Sequence, residues 1–485
     1  MKIRKANTDM SKQNKNCQVP TPIQYVEQML DYVGYKHNLW GRKVLENSCG
    51  EGNILVEIVK RYVADTKENQ YTPGEIVSGL QHDIVAYEVD QKKIDICIKR
   101  LNDLIFSEDL PKVKWNIKHQ DFLKSEEKNV EFIIGNPPYI TYHDLKQEER
   151  EFLQKNFGVC QKGRFDYCYA FIEASIKSLA ENGKMIYLIP FSIFRNRFAA
   201  GLRVFLRNYI TKIIDYRSIN VFPGITCSTS MILCQNGCIP NKVEYDDFMT
   251  RNKFFVERSA LSQDGKKWIF YRTNVGNRRF GDYFSVHNSV ATLCNRAFLF
   301  SAEEEKGEYY IIAGVPIEKK VTLPAVSTKS SRTLKKDARE TRIIFPYKMV
   351  GGKIVHYSED EFRSQYPCAW KYLYQFYIDL GKRNADETAK WFEYGRSQAL
   401  TEVFWKKLVI PMVITNSTKT YIAEKDAIPY AGYFITVKPN SNMTLQDAKN
   451  ALESTQFYQY VKEVGTPTTI SSYRVSVHDI DEFMF

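Results

Sequence analysis

The chain has 485 residues, of which 44% are hydrophobic and 26% charged, a composition typical of a globular protein with more than one domain and not of a disordered or fibrous chain. The net charge of +11 suits a polyanionic partner, because lysine and arginine neutralise phosphates, although charge alone does not identify the partner. No apolar run reaches the roughly 18 residues of a membrane span, no signal peptide is expected, and the 10 scattered cysteines without a CxxC pair exclude a zinc ribbon and indicate a reducing cytoplasm.

The first half of the chain alternates predicted strands with predicted helices. The strands are short and apolar, as is typical of strands buried on both faces, and they cover residues 43–46, 83–88, 130–134 and 184–190. Helices are predicted between them from the spacing of apolar residues, for example over 54–63 and 169–179, and Asn182-Gly183 is predicted to stop the second of these helices. This alternation predicts an α/β fold with a doubly wound, Rossmann-like parallel sheet.

The second half of the chain has a different rhythm. Beyond about residue 236 the sequence contains short aromatic strands, such as 254–256 and 309–312, with loops and a few helices. We therefore predict a mixed α+β C-terminal domain, with a catalytic domain over 1–245 and a second domain over 246–485.

The tetrapeptide Asn136-Pro137-Pro138-Tyr139 carries the strongest chemical signal, because it directly follows a predicted buried strand. Ligands of open α/β sheets lie beyond the carboxyl ends of strands. The exocyclic amine of an aromatic base is a poor nucleophile, because its lone pair is delocalised into the ring. The side-chain oxygen of Asn136 and the carbonyl of Pro137 are two acceptors for its N–H bonds, and they can draw the nitrogen toward tetrahedral geometry. The Tyr139 ring offers a face for stacking a base. The alternative is an ordinary strand-terminating turn, for which Asn-Pro is also common.

Three further groups of residues follow the predicted strands. The glycine turn after residues 43–46 allows close backbone approach, and Glu46 beside it can bind an ammonium group. Glu88 ends the next strand, where a carboxylate can bind both hydroxyls of a ribose, although its distance from the glycines requires an insertion near residues 67–80. Asp121 and Phe122 can bind an adenine amine and pack on its ring. Each group alone is weak, because nucleotide-binding proteins and simple turns share a GxG.

In this order, the residues resemble the N6-adenine DNA methyltransferases of restriction–modification systems, in the gamma (TaqI-like) class whose cofactor motif precedes the NPPY motif. The resemblance covers residues 18–236. The loop 46–53 resembles the family's Asp-Pro-Ala-Cys-Gly-Ser-Gly-Asn, with Glu46 in place of aspartate and Asn47 in place of proline. Residues 165–171 resemble the next motif of the family.

The resemblance implies S-adenosyl-L-methionine as the methyl donor and no metal. The residues that it implies for cofactor binding are Thr21, Glu46, Ser48, Gly50, Gly52, Glu88, Val89, Asp121, Phe122 and Phe171. The residues that it implies for catalysis are Asn136, Pro137, Pro138, Tyr139 and Phe222. Tyr139 and Phe222 are then expected to form two walls around an adenine flipped out of duplex DNA.

A fainter resemblance to target-recognition domains covers parts of the second half. Residues 344–347 and 391–398 carry it, and they suggest Arg396 and Gln398 as DNA-binding residues. The alternative is a polar helix face. No nuclease motif is recognisable, so we expect methylation without cleavage, with any cognate restriction endonuclease on a separate chain.

Two other functions remain open at this point. Methyltransferases that act on RNA adenine or on glutamine in proteins also use an NPPY motif, although their chains are usually shorter. A non-catalytic DNA-binding subunit is the second alternative, but it would be expected to have lost Asn136 or Tyr139, and both are present.

Overall fold

The computed structural model describes residues 19–224, 227–237, 239–270, 276–328 and 340–485, which divide into two compact units. The first unit extends to Phe270 and also contains residues 466–470, and the second contains the other described residues from 276 onward. The sequence placed the boundary near residue 245. The structure places it at 270 because two strands after residue 240 extend the sheet of the first unit.

The first unit is built on a nine-stranded sheet of order β3-β2-β1-β4-β5-β7-β6-β8-β9. Its strands are β1 (Val44–Glu46), β2 (Ile84–Glu88), β3 (Asn116–His119), β4 (Val130–Gly135), β5 (Leu179–Pro190), β6 (Ile210–Asp215), β7 (Thr229–Gln235), β8 (Lys242–Asp247) and β9 (Asn252–Glu257). The strands from β3 to β5 run parallel, whereas β7 is antiparallel to both of its neighbours and β9 is antiparallel to β8. The predicted α/β class is confirmed.

Seven helices of the first unit connect these strands. They are α1 (Ile23–Val33), α2 (Asn53–Glu68), α3 (Pro73–Asp83), α4 (Gln91–Ser107), α5 (Gln147–Asn156), α6 (Tyr167–Ser178) and α7 (Ala200–Leu206). Their apolar faces are buried; α1, for example, buries Tyr25, Val26, Met29, Leu30 and Val33 in one core cluster with α2 and the central strands. Helix α3 lies in the region where the sequence required an insertion, near residues 67–80. It begins with a capping box between Thr72 and Glu75.

Strand β5 is longer than predicted. The sequence suggested that a helix stops at Asn182-Gly183, but α6 ends at Ser178 and β5 already begins at Leu179. Asn182 has a φ of 61°, and the register of β5 against β4 shifts beside it. The turn residues therefore form an irregularity inside a strand and not a helix terminus.

The second unit is a mixed α+β structure with several small sheets. Its helices are α8 (Phe280–Tyr283), α9 (Asn295–Phe298), α10 (Glu359–Gln365), α11 (Pro367–Tyr374), α12 (Tyr377–Gly381), α13 (Leu445–Leu452), α14 (Thr455–Val464) and α15 (Val477–Asp481). Its strands are β10 (Phe284–Asn288), β11 (Leu299–Ser301), β12 (Glu304–Lys306), β13 (Tyr309–Ile312), β14 (Val315–Glu318), β15 (Thr322–Val326), β16 (Thr341–Ile344), β17 (Tyr347–Val350), β18 (Lys353–His356), β19 (Lys407–Ile410), β20 (Val413–Thr415), β21 (Tyr421–Ala423), β22 (Ile428–Pro429), β23 (Tyr433–Val437) and β25 (Ser472–Arg474). Strand β24 (Thr466–Thr469) belongs to the first unit.

The strands of the second unit form the sheets β10-β23-β19-β21, β11-β16-β15-β22 and β12-β13-β14, together with the hairpin β17-β18 and the antiparallel pair β20-β25. Two apolar clusters form its interior, one around the aromatic residues of 290–434 and one around β10, β19, β23 and the last three helices. In the part of the chain that the structure describes, no helix is both long and apolar enough to cross a membrane.

Candidate active site at the carboxyl edge of the first sheet

Asn136 lies immediately beyond the end of β4, with its side chain held by one end only. Its amide nitrogen Nδ2 donates to Thr21 Oγ1 at 3.2 Å and to the Val19 carbonyl at 3.4 Å, and its backbone carbonyl accepts from Ser48 Oγ at 3.1 Å. Its amide oxygen Oδ1 is buried and has no hydrogen-bond partner. Buried acceptors without a partner are rare, because each costs free energy. The arrangement therefore presents one fixed acceptor at the strand tip.

Tyr139 and Phe222 are both associated with the large apolar core of the first unit. The Tyr139 hydroxyl donates to the Leu188 carbonyl at 2.7 Å, and its ring packs, half-buried, against the cluster that contains Phe222 and Tyr216. The ring of Phe222 is only 2% exposed. A flipped base can reach it only after a local rearrangement uncovers it, so its predicted role as a pocket wall stays a prediction. Pro137 is buried and Pro138 half-buried in the same turn.

Glu46, the last residue of β1, is a buried acid without a compensating cation. It is 2% exposed, and its oxygen Oε2 has no hydrogen-bond partner. Burial raises the pKa of its carboxyl well above the usual range, and the neighbouring Cys97 and Glu88 raise it further. A cationic ligand group would relieve this cost, as expected for the ammonium of an amino-acid moiety.

Glu88 anchors the loop that follows β1. Its Oε2 accepts from the Gly50 amide at 2.9 Å, and its Oε1 accepts from the amides of Val89 at 2.9 Å and Asp90 at 3.0 Å. A carboxylate offers about four acceptor positions, so most of this group is already used. The predicted bidentate contact with a ribose would therefore have to share these backbone bonds. The neighbouring Val89 is 59% exposed and offers an apolar surface beside it.

Gly52 shows why the turn after β1 needs glycine. It precedes α2 with a φ of 85°, and a Cβ at this position would lie 2.5 Å from Cys97 Sγ. Gly50 also has a positive φ, of 53°. The turn therefore brings backbone amides close to the sheet edge, where a ligand can approach them.

Asp121, Phe122 and Phe171 lie close together beyond β3. The sequence predicted an adenine contact for Asp121 and Phe122 and a cofactor contact for Phe171, and these roles stay predictions. The two phenylalanine rings are 5.9 Å apart, and Asp121 Oδ1 accepts from the Leu123 amide at 3.0 Å. Burial raises the pKa of the Asp121 carboxyl above its usual value, while its hydrogen bonds act in the opposite direction. Tyr167 joins this group, because its ring is 5.4 Å from that of Phe171.

A buried polar network that the sequence analysis did not predict supports the strand tips. The amide nitrogen of Asn47 donates to Ser175 Oγ at 2.8 Å and to the Tyr187 hydroxyl, and the two hydroxyls lie 2.6 Å apart. A Cβ on Gly135 would lie 3.4 Å from Asn47 Oδ1. The network thus ties the loop after β1 to α6 and β5, and it packs against Gly135, the residue before Asn136. The replacement of the family's proline by Asn47 was the signal in the sequence.

Arg396 and Gln398, the predicted DNA-binding residues, lie in the second unit on an irregular segment and not on a helix. Arg396 Nη1 donates to Asp386 Oδ1 at 2.8 Å, while about a third of its side chain is exposed. Gln398 is exposed. These observations do not test a role of Arg396 and Gln398 in DNA binding, which stays a prediction.

The first unit fits the donor that the resemblance implies. The unpartnered oxygen of Glu46 suits the ammonium of this donor, and the aromatic pair beyond β3 suits its adenine. The unpartnered oxygen of Asn136 suits the amine of a substrate. Among the described residues, no group of three or more His, Cys, Asp or Glu side chains is arranged to hold a metal ion.

The sheet order, the glycine turn after β1 and the Asn136 tip after β4 define a Rossmann-like methyltransferase domain. Residues 35–222 match the family model described as Eco57I restriction-modification methylase. This match covers less than half of the chain, and it confirms the resemblance to restriction–modification methyltransferases.

Curated relatives agree with this assignment. The chain is 26% identical over 365 residues to the type II restriction enzyme and methyltransferase RM.Eco57I of Escherichia coli, covering 64% of this chain and 35% of the relative. It is 27% identical over 265 residues to the type II methyltransferase M.BstVI of Geobacillus stearothermophilus, covering 50% and 45%. The chain thus spans less than half the length of these two relatives.

Solved structures share the fold across nearly the whole chain. The type IIL restriction-modification enzyme MmeI in complex with DNA aligns with a TM-score of 0.59 at 14% identity, covering 93% of this chain and 63% of that one. A nuclease-deletion mutant of the type ISP enzyme LlaGI aligns with a TM-score of 0.53 at 12% identity, covering 96% and 46%. Both units therefore belong to an architecture known from restriction–modification enzymes.

Proposed function

We propose that this chain transfers a methyl group from S-adenosyl-L-methionine to the N6 amine of adenine in duplex DNA. The observation that carries the proposal is the buried, unpartnered Oδ1 of Asn136, held at the tip of β4 by bonds from its own amide nitrogen to Thr21 and Val19. An acceptor in this state gains a hydrogen bond when an amine enters the site.

The chain's own residues perform three tasks in this proposal. Asn136 Oδ1 and the Pro137 carbonyl accept the two N–H bonds of the amine and so orient its lone pair. Glu46 and the aromatic pair Phe122 and Phe171 hold the donor, which supplies an electrophilic methyl group on a positively charged sulfur. The amine gives up its proton to water once the N–C bond has formed, so no strong base is required.

The proposed substrate is supported by the family match and by the charge of the chain. The printed names of the relatives are those of type II restriction or modification enzymes, and the MmeI structure is a complex with DNA. The net charge of +11 favours a polyphosphate. We further propose that the second unit reads the DNA sequence through residues that include Arg396 and Gln398, and that any cognate endonuclease acts as a partner.

The test is a methyl-transfer assay with a tritiated donor on unmethylated duplex DNA, RNA and protein in parallel. We expect label in duplex DNA alone, with N6-methyladenine as the product and one sequence context in methylation-sensitive sequencing. Asn136→Ala serves as the matched inactive control. Label in RNA or protein would favour the alternative amino-group methyltransferases, and transfer to cytosine would contradict the adenine assignment.

A further inference from the structure

Strand β9 forms one edge of the nine-stranded sheet and carries unusually exposed side chains. Phe255 at its centre is 67% exposed, and the side chains of Lys253 and Glu257 on either side are 58% and 56% exposed. No other strand of the described residues pairs with its outer side. An aromatic residue left open to water on a free sheet edge is a feature of interaction surfaces.

The hydrogen-bond pattern of β9 shows which residues face outward along the edge. The Arg258 amide donates to the Asn241 carbonyl at 2.8 Å, in continuation of the β8–β9 ladder. Because bonded and non-bonded pairs alternate in an antiparallel ladder, the backbone groups of 252, 254 and 256 point toward β8. Those of Lys253, Phe255 and Glu257 point outward, where another strand can bond them.

The same three residues continue rows of alternating charge across the sheet. Lys253 Nζ lies 3.0 Å from Asp246 Oδ2, and Glu257 Oε1 lies 3.1 Å from Lys242 Nζ, each pair directly opposite in the register. The middle row runs from Lys212 through Glu244, 3.0 Å apart, to the exposed ring of Phe255. The outer end of each row is thus open to a side chain of a further strand: an acidic one opposite Lys253, an apolar one opposite Phe255 and a basic one opposite Glu257.

We propose that β9 pairs with β9 of a second copy of this chain, antiparallel and centred on Phe255. In this register Phe255 faces its own copy, and Lys253 faces the Glu257 of the other copy on both sides of the centre. The outer rows then read acid, base, acid, base across the interface, and the two exposed phenylalanine rings cover each other. The outward backbone groups of all three positions form the ladder. A two-fold arrangement of this kind is closed and self-complementary.

Charge explains why a second copy is the preferred occupant of this edge. Lysine and glutamate on an edge strand oppose pairing with an unrelated apolar strand, because that pairing would desolvate both charges without a partner. Self-pairing supplies the opposite charge at both positions. This inference is independent of the proposed methyl transfer, since it rests on β8 and β9 and uses no residue of the site.

The test compares three proteins by size-exclusion chromatography with light scattering. We expect the wild type to reach twice the mass of the 56.6 kDa chain as concentration rises. Lys253→Glu and Glu257→Lys should each remain monomeric, because each places like charges opposite each other in a homodimer. An equimolar mixture of the two variants should dimerise, since both charged pairs across the interface then consist of an acid facing a base.

Circular dichroism of each variant verifies its folding, and Phe255→Pro supplies a second probe. Proline at 255 removes an outward N–H and not a bond to β8, so it should leave the fold intact and abolish the dimer. A wild type that stays monomeric up to its highest soluble concentration would overturn the proposal. So would a dimer that persists in both single variants, because association would then use another surface.

Discussion

Two buried oxygen atoms lie at the strand ends where the sequence motifs predict the site. Asn136 Oδ1 and Glu46 Oε2 both lack a partner, although packed interiors normally satisfy such groups. They follow two neighbouring strands, β4 and β1, at the same edge of the sheet. A structural turn at 136–139 would have no need of an unsatisfied acceptor. We therefore interpret the pair as binding positions, one for an amine and one for an ammonium.

Asn136→Ala should reduce methyl transfer by about 100-fold or more, the usual cost of losing one preorganised polar group at the reacting centre. Because Asn136 does not contribute to the donor pocket in our proposal, donor affinity should change little. Single-turnover transfer of labelled methyl measures the first quantity and calorimetric titration of the donor the second. Normal turnover in this variant would refute the role of Asn136.

If Glu46 binds the donor as proposed, we expect donor binding to depend on pH. Because burial raises the pKa of its carboxyl well above the usual range, Glu46 keeps a proton in the free site at pH values where an ordinary glutamate is ionised. An ammonium favours the carboxylate, so donor binding should release this proton, and affinity should rise with pH until the free-site pKa is passed. Titration in buffers of different ionisation heat measures the proton release.

Glu46→Gln is the matched control for that experiment. It should bind the donor more weakly and release no proton from this position, while keeping the volume of the side chain. Equal proton release by wild type and variant would show that another group titrates.

At the level of elements, periodicity predicted the parallel strands and the position of the NPPY turn, because buried strands and turn residues leave local signals. The prediction that failed concerns a segment whose structure depends on residues distant in the sequence. Asn182-Gly183 resembles a helix stop, yet it forms an irregularity in β5, whose start is fixed by pairing with Val130 of β4. Likewise, only the fold shows that Glu88 binds three backbone amides and that Asn47 reaches Tyr187.

Arg203 on α7 holds together segments that have no strand pairing of their own. It is 1% exposed, and its guanidinium donates to the carbonyls of Ile193, Asn196, Gly265 and Lys266. Arg203→Met would leave these carbonyls without their donor and should lower the free energy of unfolding by on the order of 3 kcal/mol. Urea denaturation measures the loss.

Arg197→Met provides a control for that measurement, since Arg197 is an exposed residue of the same region. This variant should change stability by less than about 0.5 kcal/mol. Comparable losses in the two variants would mean that the buried bonds of Arg203 contribute nothing specific.

For the whole molecule, the net charge of +11 predicts that the proposed affinity for DNA depends on the salt concentration. If about six phosphates are neutralised, affinity for duplex DNA should fall roughly 1,000-fold between 50 and 200 mM salt. Fluorescence anisotropy with a labelled duplex measures the slope. Asn136→Ala should show the same slope, because Asn136 carries no charge, and an affinity independent of salt would contradict an electrostatic interface.

The two-unit organisation was predictable, but its boundary was not. The change near residue 236 from apolar strands that alternate with helices to short aromatic strands is visible in the sequence. Membership of β8 and β9 in the first sheet depends instead on the pairing of β8 with β6. In the second unit, the bond from Arg396 to Asp386 could not be inferred either, since ten residues of irregular chain separate them.

The return of residues 466–470 to the first unit affects how the protein is made. Strand β24 lies there, and the Thr469 carbonyl accepts from Ser228 Oγ at 3.3 Å. During translation the ribosome must therefore add almost two hundred further residues after Phe270 before this strand emerges. Throughout that interval the nascent first unit lacks residues 466–470. A ribosome that stalls within the second unit therefore leaves the first unit incomplete.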